Sequence, residues 1–120
     1  MRALVRADAD LQTSALCLAE LACIFQRHMR EKGLTRPQAL ELRKAFLDDV
    51  EEGVWLLHPV SDALLHKVEV VVRNLPPSVY LRAGDAIHLV SARDAGLAEI
   101  WSNDRRLLAA ARYFGLKGRS

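Results

Sequence analysis

The sequence predicts an α/β fold in which helices cover a mostly parallel central sheet. Segments typical of strands and helices alternate in the order strand, helix, helix, strand, helix, as in folds built from parallel strands with helical crossovers. Residues 81–108 continue this alternation with a helix, a short strand and a helix. With 120 residues, 51% of them hydrophobic, the chain is long enough to form one hydrophobic core but too short for two. We therefore expect a single domain over residues 1–120.

The individual elements follow from apolar periodicity and from cap residues. We predict strands over residues 11–14, 54–60 and 97–101, and helices over residues 15–32, 36–52 and 62–74. The first helix is so apolar in its first three turns that we expect it to be largely buried. Residues 1–10 look like the end of a short helix followed by a turn, and the chain is expected to end in a basic last helix and tail.

Three acids stand out from their surroundings. Asp85 and Asp104 each lie at the start of a helix in residues 81–108, and helix starts in α/β proteins gather on the rim where ligands bind. Glu20 is the single polar residue in the apolar run of residues 15–25. Acids that converge on one rim would form a divalent-metal site.

Each acid also has a plainer interpretation. Glu20 can point out through a gap in the apolar surface or pair with an arginine. Asp85 and Asp104 are in positions where aspartate commonly caps a helix or interacts favourably with its dipole. The combination of the three acids in one topological place is what favours a site.

Three stretches resemble the PIN domain, and most closely the VapC-type toxin ribonucleases of bacterial toxin-antitoxin pairs. They are TSALCLAEL, LRAGDAIHLVSA and IWSNDRRL, which lie in the family's order and together span most of the chain, from residue 13 to residue 107. The resemblance implies a three-layer α/β/α sandwich with Glu20, Asp85 and Asp104 as catalytic metal ligands. It also implies RNA as substrate, a homodimer and an antitoxin protein as partner.

The chemistry of such a site is phosphodiester hydrolysis. Clustered carboxylates suit Mg²⁺ or Mn²⁺ rather than zinc, and such an ion lowers the pKa of a bound water and neutralises phosphate charge. We predict that four residues near the acids contact the substrate: Arg82, Ser102, Asn103 and Arg105. Arg82 can equally pair with an acid, and His88, one turn beyond Asp85, is expected to be a packed or surface histidine.

The amino end departs from the family pattern. PIN domains open with a hydrophobic strand that carries the first metal-binding aspartate, followed by a crossover helix. A crossover needs about a dozen residues, so neither Asp8 nor Asp10 replaces that acid, and we expect an N-terminally truncated domain with exposed strand edges. A start codon assigned too late, decay of the gene, or a partner that adds a strand would each explain the gap.

Two hypotheses from different classes follow: a magnesium-dependent endoribonuclease, and a non-catalytic module that binds RNA or an antitoxin. The net charge of +2 permits nucleic-acid binding without requiring it. Every charged residue after Asp104 is basic, and these residues can hold phosphates or form a solvated surface.

We expect Cys17 and Cys23 to pack in the core. The sequence contains no apolar run of membrane-span length and no signal peptide, so a cytoplasmic location is expected.

Overall fold

The computed structural model describes residues 5–7 and 10–120, with side chains from residue 11 onward. Its strands are β1 (Val5–Ala7), β2 (Asp10–Ser14), β3 (Trp55–His58), β4 (Glu99–Trp101) and β5 (Lys117–Arg119). Its helices are α1 (Cys17–Arg30), α2 (Arg36–Glu51), α3 (Asp62–Arg73), α4 (Ala83–Asp94) and α5 (Arg105–Ala111), followed by one 3₁₀ turn at Arg112–Phe114. The predicted α/β class is confirmed.

The strands form two small sheets. In the first, β2 lies between β1 and β3, parallel to β3 and antiparallel to β1. In the second, β4 and β5 are parallel. Strand β1 also contacts β4, so it lies in the gap between the two sheets.

Both ends of the chain differ from the prediction. Val5–Ala7 is a strand rather than the end of a helix, so β2 has a strand beside it where we expected an open edge; residues 1–4 and 8–9 lie outside the described residues. At the other end, Lys117–Arg119 is strand β5 rather than helix or tail. The sequence KGR has little preference for a strand, and its pairing with β4 provides the backbone partners.

The core is built around α4. Leu89 and Val90 are fully buried and pack with Ile100 of β4, Leu107 of α5 and Phe114. Burial of such side chains is the main favourable contribution to folding. The buried helix α4 therefore fixes the position of everything at its amino end.

The prediction that the start of α1 is largely buried is wrong. Cys17 is fully buried, but Leu18 is 42% exposed and Cys23 is exposed, so the expected core packing holds for one cysteine only. Leu18 lines an apolar groove with α2 residues that include Phe46 and Leu47. Likewise β3 is only half buried, since Leu56 is 51% exposed.

Helix α2 begins with a capping box. The Thr35 hydroxyl accepts a hydrogen bond from the Gln38 backbone N–H at 3.3 Å, and the Gln38 side chain accepts one from the Thr35 N–H at 2.9 Å. These two bonds satisfy N–H groups that have no partner within the helix.

Replacing Thr35 by Ala should therefore lower the free energy of unfolding by about 1 kcal/mol. In thermal unfolding this corresponds to a Tm lower by roughly 4 °C for a chain of this size. Thr35→Ser keeps the hydroxyl and serves as the control. An unchanged Tm in Thr35→Ala would show that this cap contributes nothing.

Within the described part of the chain, the helices are all too short or too polar to cross a membrane.

Candidate acidic site at the start of α4

Asp85 occupies the first turn of α4. The helix begins after Arg82, whose backbone is extended, and Asp85 is 1% exposed. Burial raises the pKa of Asp85 above its usual value; the Arg82 charge lowers that pKa, and the charges of Asp104 and Glu20 raise it again. The buried carboxylate is thus in the electrostatic field of both other predicted site residues.

Asp104 caps α5 and at the same time faces Asp85. Its Oδ1 accepts hydrogen bonds from the backbone N–H groups of Arg106 at 2.9 Å and Leu107 at 3.3 Å. Its Oδ2 accepts a bond from Arg82 Nη2 at 2.9 Å. The plain interpretation as a cap and the interpretation as a site residue are therefore compatible, because each uses a different carboxylate oxygen.

Glu20 reaches the same place from α1. Its Oε1 lies 2.5 Å from His88 Nε2. Its Oε2 lies beside the first turn of α4, since a Cβ added at Gly84 would stand 3.5 Å from it. The buried His88 of α4 is therefore a partner of this acid that neither plainer interpretation included.

His88 is the residue whose role the sequence did not reveal. It is 1% exposed and its side chain joins α4 to α1. An ionised Glu20 carboxylate can only accept hydrogen bonds, so Nε2 of His88 carries the proton in this pair. His88 therefore holds the Glu20 carboxylate against the start of α4.

Arg82 lies between Asp85 and Asp104. Its Nε is 3.4 Å from Asp85 Oδ2, and its Nη2 is 2.9 Å from Asp104 Oδ2. The side chain is 52% exposed at the mouth of the site. One guanidinium thus spans two carboxylates that would otherwise repel each other in a partly buried place.

The other predicted substrate residues surround Asp104. The Ser102 hydroxyl is buried and accepts a hydrogen bond from the Asp104 backbone N–H at 3.0 Å, so it shapes the turn. Asn103 and Arg105 are exposed on either side of Asp104. They remain accessible to a ligand, whereas Ser102 serves the local backbone.

The donors fit a divalent cation in chemistry, because Mg²⁺ and Mn²⁺ prefer carboxylate oxygens. As the side chains stand, no three His, Cys, Asp or Glu residues of the described chain form a group that could hold a metal ion. The Arg82 guanidinium occupies the space between Asp85 and Asp104. A cation would therefore bind only if Arg82 moved toward solvent, where it is already half exposed.

Cys17 is not a nucleophile of this site. Burial raises the pKa of its thiol to about 11, and the nearby Glu20 charge acts in the same direction. The thiol is therefore protonated and unreactive at neutral pH.

Replacing His88 by Leu should lower the free energy of unfolding by about 1–3 kcal/mol, because Glu20 loses its buried donor. Urea unfolding followed by tryptophan fluorescence would measure it. His88→Gln, which keeps an N–H in reach, should recover part of the loss. His66→Leu is the control, since His66 is 78% exposed and its effect should stay within about 0.5 kcal/mol. A fully stable His88→Leu would mean that the pair is not needed.

The chain was compared with protein-family models, with curated proteins and with solved structures, and none of the three comparisons found a match.

Proposed function

We propose that this chain is a metal-dependent endoribonuclease, with the three-layer architecture and the toxin role of the PIN domains that its sequence resembles. The observation that carries the proposal is the convergence of Glu20, Asp85 and Asp104 at the start of α4 from three separate elements. Structural acids rarely need to gather in a partly buried place, where their charges repel. A bound cation would offset the repulsion between the three carboxylates and so explain why they lie together.

In this proposal the three acids hold Mg²⁺ or Mn²⁺. When bound, such an ion would lower the pKa of a water and offset the charge of the scissile phosphate. The chain's own contribution begins with Arg82. With a cation bound to the acids, the planar guanidinium of Arg82 would lie free at the mouth of the site and would bind a phosphate through two hydrogen bonds.

The exposed residues beside Asp104 extend the phosphate contacts. Arg105 offers a cation and Asn103 an amide at the edge of the site. His88 holds the Glu20 carboxylate in position through its hydrogen bond. By the same resemblance, we propose that the protein forms a homodimer in the cytoplasm and is inhibited by an antitoxin protein.

The decisive experiment measures cleavage of a mixed-sequence RNA with Mg²⁺ or Mn²⁺, with EDTA and in Asp104→Asn. Asparagine is as good a helix cap as aspartate, so this variant keeps α5 but loses a charged ligand. We expect cleavage to require the metal and to fall at least about 100-fold in Asp104→Asn, since even the outer partners of a metal site contribute 10- to 100-fold. Cleavage that survives EDTA, or is normal in the variant, contradicts the proposal.

The non-catalytic module is the second candidate, and one observation favours it. The acids already have cationic or N–H partners within the chain, Arg82 for two of them and His88 for Glu20. This candidate predicts binding of RNA or of an antitoxin without cleavage at any metal concentration. It also predicts that Mg²⁺ leaves the Tm unchanged, whereas a bound ion would raise it.

A further inference from the structure

We propose that Tyr80 and Arg106 form a stacking platform for a base of single-stranded RNA beside the acidic site. The platform is the pair of side chains itself: the Arg106 guanidinium carbon lies 3.8 Å from the centre of the Tyr80 ring. This inference rests on the proposed RNA substrate. It adds a contact to the base, beside the contacts already proposed to the phosphate.

The segment that carries Tyr80 is anchored from behind. Val79 and Leu81 pack against the core, whereas Tyr80 and Arg82 lie on the exposed side of the segment. This alternation is that of an extended chain, in which successive side chains face opposite ways. Tyr80 and Arg82 therefore share one surface, with their Cα atoms roughly 7 Å apart along the chain.

Arg106 lies next to Asp104 of the acidic site, in the first turn of α5. Its backbone N–H donates to Asp104 Oδ1 at 2.9 Å, and its side chain lies over Tyr80. Both members of the platform are thus two residues from a group of the site: Tyr80 from Arg82, and Arg106 from Asp104. A base on the platform would belong to a nucleotide close to the phosphate bound by Arg82.

The exposure of the ring indicates what the platform can bind. Tyr80 is 52% exposed although Arg106 lies over its ring, so the residue is accessible to a ligand. A flat aromatic ring and a planar guanidinium both stack with nucleobases, and such stacking tolerates any base. The N–H groups of the stacked guanidinium lie in its plane and can still bind a phosphate at their edge, so the test must vary the bases and keep the phosphates.

The chain contains a matched control for this pair. Tyr113 is 39% exposed, and Arg112 lies over its ring at 4.9 Å from the centre. This second pair follows the opposite end of α5, about 10 Å along the helix from Asp104. This second pair also combines an arginine with a tyrosine ring, but it does not lie beside the acidic site.

The test compares binding of two fluorescent oligomers of equal length, a single-stranded RNA and its fully abasic counterpart, in EDTA at one salt concentration. Fixed salt matters because phosphate contacts depend on it. We expect the wild type to prefer the RNA that has bases by roughly 5- to 100-fold. Tyr80→Leu and Arg106→Ala should lose this preference, whereas Tyr80→Phe, Tyr113→Leu and Arg112→Ala should keep it.

The outcomes separate this inference from the nuclease proposal. If RNA is cleaved but Tyr80→Leu retains the full preference for bases, the platform is wrong and the nuclease stands. If Tyr80→Leu removes the preference in a chain that never cleaves RNA, the platform stands and the nuclease fails. A wild type that binds neither oligomer, or binds both equally, overturns the platform.

Discussion

Asp85→Asn should lower metal-dependent RNA cleavage by at least about 100-fold and yet make the protein more resistant to heat. Under the proposed function, the loss of cleavage follows because asparagine removes the charge of one of the three acids proposed to hold the metal. The gain in stability follows from the pKa of Asp85, which is raised in the folded protein chiefly by burial. Removing this carboxylate removes a charge that the folded state tolerates poorly.

The sign of this effect sets its pH dependence. A carboxyl group whose pKa is raised by folding binds its proton more tightly in the folded state, so stability increases as the pH falls through that raised pKa. The contribution is fully present below the ordinary value of 3.8 and is lost as the pH rises through the raised pKa of Asp85. Asp85→Asn should therefore exceed the wild type in Tm at pH 7, by on the order of 4 °C for each kcal/mol gained.

Thermal unfolding over a range of pH, in EDTA, would measure this difference. The advantage of Asp85→Asn should shrink toward zero near pH 3.8. Asp62→Asn is a suitable control, because the Asp62 side chain is 92% exposed. A Tm for Asp85→Asn below that of the wild type at pH 7 would mean that the bond to Arg82 outweighs burial and repulsion by Asp104.

Adding Mg²⁺ should reverse the order of the two proteins. A ligand that binds only the folded state at 100 times its Kd stabilises by about 2.7 kcal/mol. The wild type should gain from this binding, and Asp85→Asn should not. Equal shifts in both proteins would place the ion somewhere other than at Asp85.

Leu89→Ala should have the largest effect on stability. Leu89 has no exposed surface, and it packs in the core with Val90, Ile100 and Leu107. Truncating such a leucine costs about 2–5 kcal/mol through lost burial and the cavity left behind. This is a large share of the 5–15 kcal/mol typical of a whole domain.

Urea unfolding of Leu89→Ala and of Leu40→Ala provides the comparison. Leu40 is 57% exposed on α2, so its truncation should change the free energy of unfolding by no more than about 0.5 kcal/mol. Similar losses in both variants would show that Leu89 is not the packing centre that its burial indicates.

Helices and their limits were the most predictable part of the fold. The predicted helix over residues 62–74 is α3 (Asp62–Arg73), and Asp85 lies in the first turn of α4 as expected. These elements carry local signals such as the Ser61 cap, whose hydroxyl accepts a bond from the Leu64 N–H at 3.1 Å. Strand β5 carries no such signal, because its stability comes from a partner that is distant along the chain.

The site was predictable in its acids and not in their partners. Asp85 and Asp104 follow local rules, since each begins a helix, and Glu20 stands out by its apolar surroundings. The contact between Glu20 and His88 joins residues 68 positions apart, and no local pattern encodes it. The same limit explains why α1 looked buried: the sequence shows apolar residues, but not whether a neighbour covers them.

Helix α4 carries both part of the acidic site and part of the core: Asp85 and His88 lie on the same helix as Leu89 and Val90. A loop-borne site can loosen while its scaffold stays intact. Here Asp85, His88 and the packing centre occupy the same two turns, so warming cannot disorder one and spare the other. The acidic site and the native fold should therefore be lost together, in a single cooperative event.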